Sequence, residues 1–247
     1  MPDLLDSQLY NLFDTYPSHI VPFLQFLVQA YNLPTEPYFL DVGCGTGRLL
    51  EPCSALGWRV DALEPNSTYF AAAAQIAQKS DTISVQQGGF ESIHMTGTYD
   101  LIAAVNAPFA YLLTITERED ALARIFAALK AGGVVFLDIY NFLWMLRHYR
   151  PPKPSFMRDN SGAVIKRVIR HDIDWYDSTF THTDTFYRND QLLSTQIHCM
   201  AMITSQEIRH LVAAVGFQHI QTYNNFAARQ HQRIKADRIM LSAQKPL

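Results

Sequence analysis

Three glycines at alternate positions, Gly43, Gly45 and Gly47 in the stretch DVGCGTGRLL, follow directly on the apolar run YFLDV. Glycines at a strand exit leave main-chain amides bare, so a ligand can approach them with no Cβ atom in the way. About 20 residues further on, Glu64 closes a second apolar run, WRVDALE, with Pro65 beside it. A carboxylate there can accept hydrogen bonds from both hydroxyls of a ribose. A nucleoside whose tail lies along bare backbone is therefore the expected ligand. Dinucleotides usually call for Gly-x-Gly-x-x-Gly, and the third glycine here comes one residue early.

The elements that must hold these residues alternate in type. From Tyr38, short apolar runs (YFLDV, WRVDALE, ISVQQ, YDLIAAV, VVFLDIY) are separated by helical stretches, predicted from about Gly47 to Leu56, over TYFAAAAQIAQ and from Glu119 to Leu129. Strands alternating with helices predict βαβ units and a parallel sheet covered on both faces. Thr116 with Glu119 has capping-box spacing, and Gly132-Gly133 reads as the stop of that helix. Before the first run, apolar residues at three- and four-residue spacing around Pro17 and Pro22 predict helices interrupted by turns, closed by Pro34 and Pro37. After Pro151-Pro152-Lys153-Pro154 the pattern changes. AVIKRVIRHDIDWY, STFTHTDTFYR and LLSTQIHCMAM alternate in polarity, with a turn at Asn189-Asp190, and predict a three-stranded antiparallel insertion. Thr204 and Glu207 then start a helix that Gly216 ends, and FQHIQTYNNF and DRIMLSAQKP supply two closing strands.

Asp41-Val42-Gly43-Cys44-Gly45-Thr46-Gly47 resembles the first motif of the class I methyltransferases that use S-adenosylmethionine. The likeness continues through Glu64, through YDLIAAVNAPFAYLL and ALKAGGVVFLDIYN, and on to TSQEIRHLVAAVGF near the C-terminus. It implies an α/β, Rossmann-like fold: a seven-stranded, mostly parallel sheet with an antiparallel last strand, plus a small antiparallel β insertion. On this reading residues 1–247 form one methyltransferase domain, with a helical lid (1–37), a cofactor-binding core (38–150), the insertion (163–202) and a closing helix with strands (203–247). The resemblance assigns Asp41, Gly43, Cys44, Gly45, Gly47, Glu64, Pro65, Gly89, Phe90 and Asn106 to cofactor binding, with Tyr10 and Tyr16 reaching over from the lid. Asp41 would either cap the loop amides or stand near the methionine ammonium. Gly89 stands where the family often carries an acid that holds the adenine amino group, leaving the Phe90 amide and ring to read the base.

Methyl transfer from a sulfonium is an in-line displacement whose leaving group is already activated, so alignment and exclusion of water do most of the work and no triad is expected. Residues at strand ends or on the insertion that could touch an acceptor are Asn106, Tyr140, Asn141 and His171. His182 and His198 accompany His171 on the inserted strands, with Trp175, Tyr176, Phe186 and Tyr187. These side chains could pack the insertion, pair two subunits as a homodimer, or roof an acceptor pocket. Asn106-Ala107-Pro108-Phe109 departs from the Asn-Pro-Pro-aromatic motif of nucleobase and glutamine methyltransferases. It looks more like the loop of small-molecule N- and O-methyltransferases, including the glycine N-methyltransferase-like branch. Arg147, His148, Arg150 and Lys153 read as a solvated basic connection.

Composition narrows the partners. A formal net charge of −3 gives no reason to expect nucleic acid or an anionic membrane, and 48% hydrophobic residues in 247 can fill a sizeable core. No apolar run approaches the roughly 18 residues of a membrane span, and MPDLLDSQLY lacks a basic leader, so a cytoplasmic protein with a small-molecule acceptor is expected. Cys44, Cys53 and Cys199 read as reduced thiols with no metal site. Two other readings remain at this point: a nicotinamide (NAD)-dependent oxidoreductase, and a non-catalytic S-adenosylmethionine sensor or subunit.

Overall fold

The computed structural model describes residues 5–13, 18–159 and 161–247. Helices α1 (Leu5–Phe13) and α2 (Ile20–Ala30) precede β1 (Tyr38–Val42), α3 (Leu50–Ser54), β2 (Arg59–Glu64), α4 (Ser67–Ala77) and β3 (Ile83–Gln87). Then come β4 (Tyr99–Ala104), α5 (Ile115–Ala128), β5 (Leu129–Tyr140) and α6 (Phe142–Arg147). The remainder is β6 (Ser155–Arg158), β7 (Val164–Asp174), β8 (Thr179–Arg188), β9 (Gln191–Ala201), α7 (Ser205–Val215), β10 (Gln218–Tyr223) and β11 (Arg238–Gln244).

Seven strands form one sheet in the order β10-β11-β5-β4-β1-β2-β3. Strands β3, β2, β1, β4 and β5 pair in parallel, and β11 runs antiparallel to both its neighbours. Side chains of alternate parity along a strand face opposite sides of a sheet, so a sheet covered on both faces reads as continuous apolar sequence. Leu40, Val42, Ile102, Ala104, Val135 and Leu137 meet α5 and α7 on one face. Phe39, Leu101, Ala103, Val134 and Phe136 meet α2, α3 and α4 on the other. Phe23, Leu24 and Leu27 of α2 are wholly buried there, so this helix packs as part of the core, and Pro22 sits in its first turn without breaking it.

Several local expectations shift. The helix after the glycine loop starts at Leu50 and not near Gly47, because residues 43–49 are spent in turns that let the chain reverse over the sheet end. The capping box of α5 is Thr114 with Glu117, one of two overlapping Thr-x-x-Glu frames. The Thr114 hydroxyl accepts from the Glu117 amide at 3.2 Å, the Glu117 carboxylate accepts from the Thr114 amide at 2.8 Å, and Arg118 ties down the carbonyls of Leu112 and Leu113 just before. Gly132-Gly133 does not stop the helix. It ends at Ala128, and the glycines lie inside β5, where the register with β4 slips between the Tyr99–Leu129 and Leu101–Val134 pairs. At α7 the Thr204 hydroxyl accepts from the Glu207 amide at 3.1 Å, and left-handed Gly216 (φ 111°) follows the last turn.

The insertion is a second sheet, β6-β7-β8-β9, antiparallel throughout. It has four strands, not three, and begins before residue 163, because Ser155–Arg158 pairs with Val164–Arg167. All four residues of β6 are exposed, so this short edge strand carries no alternation for a sequence to reveal. Asn189 and Asp190 make the β8–β9 turn with φ of 51° and 59°. Among the described residues no helix is long and apolar enough to cross a membrane, and no group of three or more His, Cys, Asp or Glu could hold a metal ion.

Candidate active site

Sequence order passes from β1 to β2 on one side of the sheet and later to β4 on the other side of β1, so the chain leaves a crevice at the carboxyl ends of these strands. A cavity of about 510 Å³ opens there, within the range that takes a small ligand. Val42 and Gly43 reach it from β1, Glu64 from β2, Gly89 after β3, and Val105, Asn106 and Pro108 after β4.

The glycine loop is tied to the end of β2. The amides of Gly43 and Cys44 both donate to the Leu63 carbonyl, at 2.8 and 3.0 Å. The amide of Gly45 donates to Glu64 Oε2 and that of Asn66 to Glu64 Oε1, each at 2.8 Å. Glu64 therefore clamps the loop to the start of α4, where the Asn66 side chain accepts from the amides of Thr68 and Tyr69 as N-cap. Burial raises the pKa of Glu64, and the two amides pull against that rise.

The glycines separate by role. A Cβ on Gly43 would lie 2.4 Å from Pro108 Cβ, so its bareness lets the exits of β1 and β4 touch. A Cβ on Gly45 would meet only the Tyr10 ring, at 3.9 Å, and would stand in the cavity. Gly47 faces Ala73 Cα at 3.2 Å and so admits α4; neither it nor Cys44, which packs on the core, lines the cavity.

Asp41 is buried in β1 behind the loop, and its carboxyl is pushed up to about 7 by burial and then by Glu64. Of the two roles expected for it, capping is displaced, since the amides of Gly43, Cys44 and Gly45 are taken by Leu63 and Glu64. Pro65, Gly89 and Phe90 line the cavity, the Phe90 ring standing edge-on to Phe109 at 5.5 Å. Glu91, which the motif comparison passed over, accepts from the Gly89 amide at 2.7 Å and also lines the cavity, so an acid does stand here two residues late.

Asn106 and Ala107 both adopt left-handed backbone, φ 68° and 69°. Asp138 imposes this turn: its carboxylate accepts from the Asn106 amide at 3.0 Å and its carbonyl from the Ala107 amide at 2.8 Å. Arg238 holds that carboxylate in a two-pronged pair at 2.7 and 2.6 Å. The Asn106 side-chain amide donates to the Tyr10 hydroxyl at 3.2 Å, and the Tyr10 ring lies 5.1 Å from Tyr69 and 4.5 Å from the Arg48 guanidinium. Tyr16 lies outside the described residues.

The other acceptor candidates lie apart. Tyr140 sits under the Arg238 guanidinium at 4.3 Å, and Asn141 caps α6 through the Trp144 amide at 3.3 Å while donating to the Ala236 carbonyl at 2.8 Å. His171 pairs with His182 across the insertion, 3.0 Å from Nε2 to Nδ1. None of the three lines the cavity, whereas Tyr69, Tyr111, Gln196 and His198 do. Sequence reasoning missed Tyr69, Tyr111 and Gln196 as cavity residues, while His198 was among the insertion side chains read as able to roof an acceptor pocket. Tyr111 follows Asn106 on a short 3₁₀ turn, and Gln196 and His198 alternate along β9, which was the signal available.

Residues 39–133 match the family model described as a methyltransferase domain. The chain is 26% identical over 213 residues to the glycine/sarcosine N-methyltransferase of Halorhodospira halochloris, covering 82% of this chain and 74% of that one. A solved S-adenosylmethionine-dependent methyltransferase from Clostridium acetobutylicum shares the fold with a TM-score of 0.79 over 98% of both chains, at 14% identity. CalS10, an amino pentose methyltransferase from Micromonospora echinaspora solved with S-adenosylmethionine bound, gives 0.71 over 93% of this chain and 92% of its own, at 20% identity. Together with the crevice and its short glycine motif, these likenesses set aside the nicotinamide reading. Residues 39–133 thus carry a methyltransferase domain, and the chain as a whole has the fold of the S-adenosylmethionine-dependent methyltransferases.

Proposed function

We propose that this enzyme transfers the methyl group of S-adenosylmethionine to a nitrogen or oxygen of a small metabolite. The observation that carries this reading is the convergence of the Gly45 amide, Glu64 and the Asn106 turn on one cavity. The residues fit the methyl donor. Gly45 leaves space where a Cβ would intrude, Glu64 keeps lone pairs for a ribose after serving two amides, and the buried acid Asp41 behind the loop suits a ligand ammonium. When bound, the donor supplies an activated methyl carbon. Asn106, aimed by Asp138 and Tyr10, is the side chain best placed to orient an acceptor, and Phe90 and Glu91 are placed to meet the adenine. A small acceptor accords with the cavity's size and with the substrates that the relatives' names carry, glycine or sarcosine and an amino pentose.

Calorimetric titration with S-adenosylmethionine, S-adenosylhomocysteine and NAD tests the site. Micromolar affinity for both sulfur ligands, about −8 kcal/mol, with none for NAD is expected. Methyl transfer to glycine, sarcosine, D-glucosamine and a catechol then sorts nitrogen from oxygen acceptors. Tight donor binding with no turnover on any broad acceptor panel would leave the chain as a binding subunit.

A further inference from the structure

Tyr111 and His198 stand 87 residues apart in sequence, yet the Tyr111 hydroxyl lies 2.8 Å from His198 Nδ1, and both line the cavity. His198 is the cavity end of a row of histidines. In the register of the inserted sheet His171 faces His182, which faces His198. The inner members are committed to the sheet: His182 Nε2 lies 3.0 Å from Asp184 Oδ2, its Nδ1 lies 3.0 Å from His171, and Arg167 grips Asp184 at 2.7 and 2.9 Å. Burial works against the charge on Asp184, but the bonds from His182 and Arg167 outweigh it and hold the carboxyl down at about 2. Asp184 therefore stays an acceptor, His182 carries its proton on Nε2, and His171 donates to His182 Nδ1. The cavity wall is left with His198 and Tyr111.

The geometry points to Tyr111 and His198 as the pair that takes the proton from the methyl acceptor, which must then arrive as a neutral hydroxyl or amine with a proton to lose. This assignment rests on the methyl-transfer reading above. A phenol is protonated at neutral pH and the Tyr111 hydroxyl is pushed further up, so in this assignment it donates to a lone pair on His198 Nδ1. In the step, a lone pair on the acceptor heteroatom forms the new bond to the methyl carbon, and the sulfur–carbon bonding pair stays on sulfur. The heteroatom's proton passes to Tyr111 oxygen as the phenolic proton passes to His198 Nδ1. One positive charge thus leaves sulfur and one appears on imidazolium. An acceptor already deprotonated in solution would not need the pair. Other groups that His198 would feel are His182 and Asp184 on β8, Tyr10 on α1, Tyr69 on α4, and Glu64 and Glu91 across the cavity lining.

Nitrogen NMR of histidine side chains in the full chain tests this without an identified acceptor, with His198 assigned through backbone correlations and by its loss in His198→Gln. In the S-adenosylhomocysteine complex at neutral pH the expected tautomer carries hydrogen on Nε2 and a lone pair on Nδ1. With S-adenosylmethionine, His198 should titrate lower by about half a pH unit or more than with S-adenosylhomocysteine, because a unit positive charge then shares its cavity. Tyr111→Phe should shift the Nδ1 resonance. A hydrogen on Nδ1, or identical titration in the two complexes while both ligands bind, overturns the assignment. If neither ligand binds, the methyl-transfer reading fails first and this one with it.

Discussion

Gly45→Ala should separate ligand binding from folding, because the three glycines of the loop meet different neighbours. At Gly45 (φ 59°) an alanine takes on left-handed backbone strain of roughly 1–2 kcal/mol and touches nothing closer than the Tyr10 ring at 3.9 Å. For a chain of this length that lowers Tm by about 2–8 °C. The new methyl group stands in the cavity, and pressing a ligand against it costs about 1–3 kcal/mol, or roughly a 5- to 150-fold loss of S-adenosylhomocysteine affinity. Gly43→Ala carries the same strain plus a collision with Pro108 at 2.4 Å, about 2–5 kcal/mol in all and a fall in Tm of about 4–20 °C. Gly47→Ala meets Ala73 Cα at 3.2 Å and Leu50 Cδ1 at 2.9 Å, and should also act mainly on stability. Differential scanning fluorimetry and calorimetric titration on the three variants give both numbers. Wild-type affinity in Gly45→Ala, with affinity lost in a Gly47→Ala protein that melts like wild type, would refute the division of labour.

Three further outcomes are expected. Glu64→Gln replaces a carboxylate that serves two amides with a group that has one acceptor atom, orphaning a main-chain N–H at about 1–3 kcal/mol, so the variant should melt lower and bind S-adenosylhomocysteine at least about tenfold more weakly by calorimetry. Arg238→Met leaves Asp138 buried and unpaired at about 3–5 kcal/mol; denaturant unfolding should show the loss, and unchanged stability would mean the pair does not hold the Asn106 turn. Asp41 sits above its ordinary 3.8, at about 7, so the fold favours its neutral form: the stabilisation is full below about pH 4 and is lost as pH rises through 7. A cationic methionine moiety favours the charged form, so S-adenosylmethionine binding near pH 6 should release a proton that is absent in Asp41→Asn, read from binding enthalpies in buffers of different ionisation heat.

What the sequence disclosed was whatever is written in contiguous stretches. Strand ends followed by Gly43, Glu64, Gly89 and Asn106 could be placed because alternation of strand and helix puts every such end on one rim of the sheet. Tyr140 and Asn141 satisfied the same rule and still fell away, since Asn141 is used to start α6 and Tyr140 lies beneath Arg238, a partner from the far end of the chain. Strand β6 was illegible because an exposed edge has no buried face to imprint a pattern. The meeting of Tyr111 with His198 depends on how the inserted sheet lies against the 3₁₀ turn after β4, which is tertiary packing and leaves no local signature. The two overlapping frames before α5 show a further limit: identical spacing offered Thr114 and Thr116 equally, and Arg118 bonding back to Leu112 and Leu113 favours the first.

The pairing of β5 with β11 bears on how this chain reaches its fold. Arg238 and Asp138 are 100 residues apart, and the strands that carry them lie side by side from Tyr140–Arg238 to Val134–Gln244. Joining such distant segments in an open chain carries a loop-closure entropy that non-local contacts must overcome before they gain anything. Within that excursion, β6 to β9 are successive antiparallel neighbours joined by short turns. Hairpins of this kind form from local contacts and gather the excursion into a compact body before β11 arrives. The inserted sheet would thereby shorten the search for the last strand. Substitutions that loosen it should slow refolding of the central sheet even where they lie far from β5 and β11.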